Sequence, residues 1–199
     1  MVLYPEEKMN PCTTLTTADL LETLGNVTIF SGFTQDDLMH VCSNCSLVEA
    51  RIGEIILEEG TPATEILILL KGCAAIVLNM NDEPIELMQC GPGSCIGEAS
   101  VIGIQMHSAS AVIVEDAVLM VLRRQILMKL FEENKALFSL LILNIARELA
   151  RRLHHTDEVL LHYGKEGPHN SFSHSGGIRK LKELPVENGS AGGVIGKSP

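Results

Sequence analysis

From Leu47 onward the hydrophobic pattern of this chain is that of strands, and that constrains the fold more than any other feature. Short aliphatic and β-branched runs follow one another: Glu54–Leu57, Glu65–Leu70, Cys73–Leu78, Ile85–Met88, Ser108–Val114 and Ala117–Leu122. Turn signals at Asn79-Met80-Asn81-Asp82, Gly91-Pro92-Gly93 and Glu115-Asp116 punctuate them. Many short strands at turn-separated spacing predict a sheet closed on itself or folded into two packed layers.

Helical signals lie on both sides of this β region. Thr17 is placed to cap a short amphipathic helix over Ala18–Leu24 that Gly25 closes. Thr34, with Asp37 three residues later, is a capping-box arrangement and leads Leu38, Val41 and Cys42 along one face. The last element begins near Arg123 and runs, with a break around Asn134, to about Tyr163. Within it Ala146, Leu153 and Leu160 recur every seven residues, as do Ile142, Leu149, Thr156 and Tyr163. Interleaved, the two sets make the seam of a coiled coil and predict a parallel homodimer through this helix, the alternative being that the same stripe packs on the chain's own barrel.

Charge and composition narrow the function classes. Apolar residues make up 46% of the 199 residues and charged ones 20%, a globular composition. No apolar run is long enough for a membrane span, and the N-terminus lacks a basic start and an apolar core, so the expectation is a cytoplasmic protein without a membrane partner. The net charge is −10, and residues 1–163 hold 10 Lys and Arg against 22 Asp and Glu. An acidic body repels the nucleic-acid backbone, which argues against direct DNA binding by the main domain. Residues 164–199 differ in character, with eight of the 17 glycines and a single short helix candidate over Ile178–Leu184. The expected organisation is an arm at 1–17, one domain at 18–163 and a Gly/Ser-rich flexible tail at 164–199.

The segment Gly97-Glu98-Ala99-Ser100, running on to His107-Ser108-Ala109-Ser110, has the composition of a backbone turn that can approach a ligand closely. It joins Gly53-Glu54-Ile55-Ile56, Glu59-Gly60, the run Ile66–Leu69, Lys71-Gly72 and Gly91-Pro92-Gly93 in order. Over roughly residues 18 to 162 the chain thereby resembles the cyclic nucleotide-binding domain family, which includes catabolite activator proteins and regulatory subunits of cyclic-nucleotide-dependent kinases. The resemblance implies a mainly β fold with flanking helices, namely a double-stranded β-helix (jelly-roll) barrel plus a long C-terminal helix. It further implies that Gly97, Ala99 and Ser100 present backbone N–H groups to a cyclic phosphate. Glu98 would accept from the ribose 2′-hydroxyl, in line with a carboxylate's acceptor-only chemistry. The implied ligand is cyclic AMP or cyclic GMP, with no other cofactor. Transcription factors of the family carry a helix-turn-helix after the long helix, and the 164–199 tail is too short and glycine-rich for one.

At one position the pattern departs from the family. Where relatives place an arginine before Ser-Ala, this chain has His107, followed by Ser108 and Ala109. A guanidinium is permanently charged and forks two hydrogen bonds, whereas an imidazole is cationic only near or below a pKa of ~6.5 unless a bound anion raises it. Losing one charge-assisted bond costs about 1.5 to 3 kcal/mol, roughly ten- to a hundredfold in affinity. Three readings stay open: a weakened or pH-dependent cyclic nucleotide site, a degenerate pocket in a dimeric interaction scaffold, or another ligand such as haem held by His107 or a cysteine. The base of a nucleotide would meet the long helix at either Arg152-Leu153 or Thr156-Asp157.

The six cysteines, at 12, 42, 45, 73, 90 and 95, are expected as reduced thiols. Cys42-Ser43-Asn44-Cys45 is a CxxC without a second pair or histidines at finger spacing, so burial explains it better than metal. An iron-sulfur or haem redox sensor using Cys42, Cys45, Cys90, Cys95 or His107 is the rival reading. Histidines at 40, 154, 155, 162, 169 and 174 pair with no nucleophile signature, and an enzyme is not expected. The mechanism the resemblance implies is that of a regulatory domain in which a ligand in the 97–110 cradle shifts the helix after Arg123 against the barrel, with the output carried by an effector protein.

Overall fold

The aliphatic runs form strands, but two of the expected interruptions are bends within longer strands. The computed structural model describes residues 10–11, 17–166 and 179–180. In chain order these are β1 (Asn10–Pro11), α1 (Thr17–Gly25), a 3-10 turn at Thr28–Phe30, α2 (Gln35–Cys42), β2 (Ser46–Ala50), β3 (Ile55–Leu57), β4 (Glu65–Leu78), β5 (Ile85–Cys90) and β6 (Cys95–Ile96). They continue as α3 (Glu98–Gly103), β7 (Ser110–Arg123), α4 (Arg124–Glu133), α5 (Lys135–Glu166) and β8 (Arg179–Lys180).

β4 and β7 are 14 residues each and pair antiparallel along their length. Each spans a point where the sequence suggests a stop, Lys71-Gly72 in one and Glu115-Asp116 in the other. The ladder shifts register there instead of ending. Gly72 sits at φ +85, and a Cβ on it would collide with the Asp116 carbonyl and stand 2.7 Å from Ala117 Cα. Only a residue without a side chain lets the two backbones cross so closely, and the bulge bends both strands together. Asp116 in turn accepts from Arg51 Nη1 at 2.9 Å and from Ile52 N–H at 3.0 Å, which ties down the turn after β2.

The strand order is β1-β2-β7-β4-β5-β8, with β3 on β7 and β6 on β4, and the pairings are antiparallel. The arrangement is a jelly-roll barrel with flanking helices. The two long strands are buried on both faces, so alternate residues enter different cores. Ile66, Ile68 and Leu70 with Val118, Met120 and Leu122 pack under the helices, beside Leu24, Leu38, Leu127 and Leu141. Leu67 and Leu69 with Leu119 and Val121 fill the barrel interior beside Leu57, Ile96 and Ile113. Burial on both faces explains why these stretches read as continuous apolar runs rather than alternating ones.

The capping box at α2 is present: Thr34 Oγ1 accepts from Asp37 N–H, and the Asp37 carboxylate accepts from Thr34 N–H. The long C-terminal element breaks at Asn134, which leaves helical geometry at φ −146 and accepts at Oδ1 from Leu137 N–H at 3.0 Å. α5 is anchored by Asn144, only 3% exposed, whose Nδ2 donates to Ile29 O at 3.1 Å and Ser31 O at 2.8 Å. That anchor sets the helix rotation and corrects half of the expected seam. Ile142 and Leu149 pack on the chain's own core with Leu141 and Ile145. The outward apolar stripe is Leu143, Ala146, Ala150 and Leu153. Side chains of Leu160 and Tyr163 lie outside the described ones.

At the tail, Arg179–Lys180 forms β8 against Ile85–Glu86 rather than part of a helix. Asn10–Pro11 likewise pairs with Val48–Glu49, so this piece of the expected arm is strand. The rest of the 1–17 arm up to Thr16, and the tail residues 167–178 and 181–199, lie outside the described residues.

Candidate functional site

The site is built on the turn from β6 into α3. β6 is held by β4 through the pairs Leu67–Ile96 and Ile68–Cys95, and Gly97 then swings the chain at φ +87. A Cβ at Gly97 would stand 3.1 Å from Leu57 Cδ1, 3.2 Å from Glu65 O and 3.3 Å from His107 Cε1. The turn is therefore walled on several sides, and the His107 imidazole is one wall. A side chain at 97 would be strained by the dihedral and crowded by the wall together.

Glu98 opens α3 with 1% exposure. Its Oε1 accepts from Arg152 Nη1 at 2.7 Å, while Oε2 is buried without a hydrogen-bond partner. Burial pushes the carboxyl above its ordinary pKa, and the Arg152 guanidinium counters that rise. Arg152 comes from α5 and is doubly held, because Nη2 also donates to Cys95 O at 2.7 Å. Glu148, one turn earlier, lies 3.6 Å from Arg152 Nε, pairs with Arg151 and accepts from Thr28 Oγ1 at 3.2 Å. The chain of contacts thus runs from the turn through Arg152 to α5 and on to the 28–31 segment.

His107 is 6% exposed. Its backbone N–H donates to Thr61 O at 2.9 Å and its carbonyl accepts from Gly60 N–H at 2.8 Å, which fixes the loop before β4 to the strip before β7. Burial lowers the imidazole pKa below its ordinary 6.5 and so disfavours its charged form. Ser108 is exposed and Ala109 half-buried. Ser110 behind them is buried and its Oγ accepts from Glu59 N–H at 3.0 Å.

Gly97, Glu98, His107 and Arg152 are brought together. Ser100 is buried at the back of α3, where its carbonyl accepts from Gln105 N–H at 2.9 Å, and Ala99 is exposed. Of the two alternatives on the long helix, Arg152 turns toward Glu98 while Leu153 is 64% exposed. Thr156 is exposed and donates to Arg152 O on its own helix, away from the Glu98 carboxylate. The sequence reading missed the Cys95 carbonyl, Leu57 and Glu148. A backbone acceptor leaves no residue-type signal, and an acid one turn before Arg152 reads as an ordinary intrahelical pair.

Among the described residues no three His, Cys, Asp or Glu side chains converge to hold a metal ion. Burial pushes Cys42 up to about 11, Cys45 to about 12 and Cys90 to about 11, and raises Cys95 further still. Thiols raised in this way are poor nucleophiles near neutral pH. Cys12 lies outside the described residues. Among the described residues, no helix is long and apolar enough to cross a membrane.

The family model for the cyclic nucleotide-binding domain matches residues 47–134, from β2 through α4. These residues belong to the cyclic nucleotide-binding domain family. A cyclic nucleotide-binding domain from Methylobacillus flagellatus aligns with a TM-score of 0.64 at 23% identity, covering 78% of this chain and 84% of that one. The catabolite activator protein of Thermus thermophilus aligns at 0.60 and 26% identity over 69% of this chain and 63% of that one. The regulatory domain of Toxoplasma gondii PKA, solved with cAMP, aligns at 0.56 and 18% identity over 67% and 49%. No curated protein matches this chain in sequence. Domains of this family are regulatory rather than catalytic. Within the family's fold, Glu98 occupies the end of the turn that leads out of β6, and Arg152 reaches it from the helix beyond the matched segment.

Proposed function

We propose that this domain senses a ribose-bearing ligand of the cyclic nucleotide type, cyclic AMP or cyclic GMP in the family's usual form, in the cradle between Gly97 and Ser110. One observation carries the reading: the buried, unpartnered Oε2 of Glu98. A buried carboxylate oxygen without a donor is costly, and a ribose 2′-hydroxyl is a donor of the right kind. Gly97, Ala99 and Ser100 supply backbone N–H groups to the rest of the ligand, with His107, Ser108 and Ala109 forming the facing wall. Thr156, one turn beyond Arg152, belongs to the helix that the ligand biases.

Occupancy reaches α5 through Arg152. A hydroxyl on Glu98 changes the field and position of the carboxylate that Arg152 holds, and α5 shifts against the barrel in response. The outward stripe Leu143, Ala146, Ala150 and Leu153 makes this a homodimer, and an effector protein reads the change at that helix. The acidic balance of residues 1–163 keeps nucleic acid from being the direct partner. A domain that has kept its fold as a dimeric scaffold is the second reading, favoured by the burial of His107, which disfavours its charged form.

The test is calorimetric titration of the full chain with cyclic AMP, cyclic GMP and their 2′-deoxy counterparts, with Glu98→Gln alongside. Ribose forms should bind more tightly than deoxy forms in the wild type, by roughly the worth of one charge-assisted bond, about 1.5 to 3 kcal/mol. Equal affinity for ribose and deoxy forms overturns the assignment of Glu98.

A further inference from the structure

We infer that this site selects a ligand without a phosphate charge, a neutral ribonucleoside in preference to the matching 3′,5′-cyclic monophosphate. The inference rests on the reading of Glu98 as the ribose acceptor and names the chemical class of ligand that this reading leaves open.

The argument is a charge inventory of the cradle. Glu98 is 1% exposed and carries one negative charge, which the Arg152 guanidinium cancels at 2.7 Å. Arg152 is not free to serve a second anion. Its other terminal nitrogen is committed to Cys95 O at 2.7 Å, and moving it would leave the buried Glu98 charge uncompensated. Arg124 approaches α3 from the opposite end, where Nη2 donates to Ala63 O at 2.6 Å and to Val101 O at 3.4 Å. The position that faces the Gly97 turn is taken by a buried imidazole, 3.3 Å from where a Gly97 Cβ would be. Burial disfavours the charged form of that imidazole, and its neutral form has one donor and one acceptor to offer in place of a fixed charge.

Glu98 and Arg152 thus cancel each other before any ligand enters, and Arg124 is held by the Ala63 carbonyl and by that of Val101 on the far part of α3. A cyclic monophosphate would bring one uncompensated negative charge into a half-buried turn, and burying an unpaired charge is strongly unfavourable. A nucleoside brings the same ribose 2′-hydroxyl to Glu98 Oε2 without that charge. Its 3′- and 5′-hydroxyls can both donate and accept, which matches a neutral imidazole and backbone N–H groups better than it matches an arginine.

Calorimetry on the full chain near neutral pH decides it, with adenosine, guanosine, cyclic AMP, cyclic GMP and 2′-deoxyadenosine as probes. The expected result is that each nucleoside binds at least about tenfold more tightly than its cyclic monophosphate, and that 2′-deoxyadenosine binds more weakly than adenosine. A His107→Arg variant should raise affinity for the cyclic monophosphates by roughly ten- to a hundredfold and reverse the order. Circular dichroism checks that this buried substitution folds, and the wild-type comparison stands without it. Cyclic monophosphates binding as tightly as the nucleosides would overturn the inference while leaving the ribose assignment in place, provided the deoxy form is weaker. Binding of none of the five would overturn both.

Discussion

Arg152 on α5 and Glu98 on α3 are 54 positions apart in the chain and meet at 2.7 Å. The contact joins the matched domain to a helix outside it, and it places a cation from that helix on a buried carboxylate at the Gly97 turn. Any ligand that engages Glu98 therefore acts on a group that α5 already holds.

Arg152→Ala should destabilise the fold by about 1 to 3 kcal/mol near neutral pH, less than a fully buried pair because the Arg152 side chain is 30% exposed. Glu98→Gln should cost less, since an amide oxygen still accepts from Arg152 and no charge is stranded at Glu98. The Arg152→Ala penalty should shrink as pH falls through the pKa of Glu98, which burial has raised, because the carboxyl then takes up a proton. Urea unfolding at several pH values measures all three. A wild-type midpoint for Arg152→Ala would mean that the pair does not hold α5.

Stability should fall on mild acidification because of His107. Its folded-state pKa lies below the unfolded value, so the unfolded chain binds the proton more readily. The contribution is present in full above the unfolded pKa of ~6.5 and is lost as pH falls below it. Glu98 has the opposite sign: its folded pKa is raised, so its contribution is full below ~4.5 and is lost as pH rises through the raised value. Thermal unfolding between about pH 7 and pH 5 should show the decline in the wild type and a flatter profile in His107→Gln. Parallel profiles would place the responsible group elsewhere.

The rotation of α5 separates two substitutions only four residues apart. Leu153→Glu lies on the exposed stripe and should leave the fold intact while turning a dimer into a monomer by light scattering. Leu149→Glu puts a charge against the core that includes Leu141 and Ile145, and should lower stability by several kcal/mol, roughly the cost of burying an unpaired charge. A monomeric wild type at high concentration would remove the homodimer from the proposal.

Gly72→Ala should be among the most damaging single changes available. The added methyl meets the Asp116 carbonyl, and the residue sits at φ +85, so both strands must shift, at a cost of about 2 kcal/mol or more. Gly91→Ala, with nothing within 4 Å and no positive φ, should stay within about 0.5 kcal/mol of wild type. Comparable midpoints for the two variants in chemical denaturation would show that the bulge can relax.

Much of the architecture was legible because it depends on contiguous residues. The Thr34–Asp37 capping box, the break at Asn134, the closure of α1 at Gly25 and the strand runs are each decided within a few positions by caps, dihedral preferences and side-chain alternation. The Gly97-Glu98 turn was legible for the same reason. Glu115-Asp116 misled because two acids in a row signal a turn only when the strand is free to end; here Asp116 is used by Arg51 and Ile52, and β4 carries β7 through.

What the chain alone could not disclose are the contacts across long sequence separations. Asn144 finds Ile29 O across 115 positions and thereby decides which side of α5 faces out. The seven-residue spacing in that helix fits an outward seam and an inward stripe equally well, since both faces are apolar. Likewise, a histidine at 107 is cationic or neutral according to what buries it, and an arginine at 152 is a surface charge or a site residue according to what it reaches. Local sequence sets which conformations are cheap; burial and partners, which only the folded chain supplies, set the charge state and direction of the side chains that make the site.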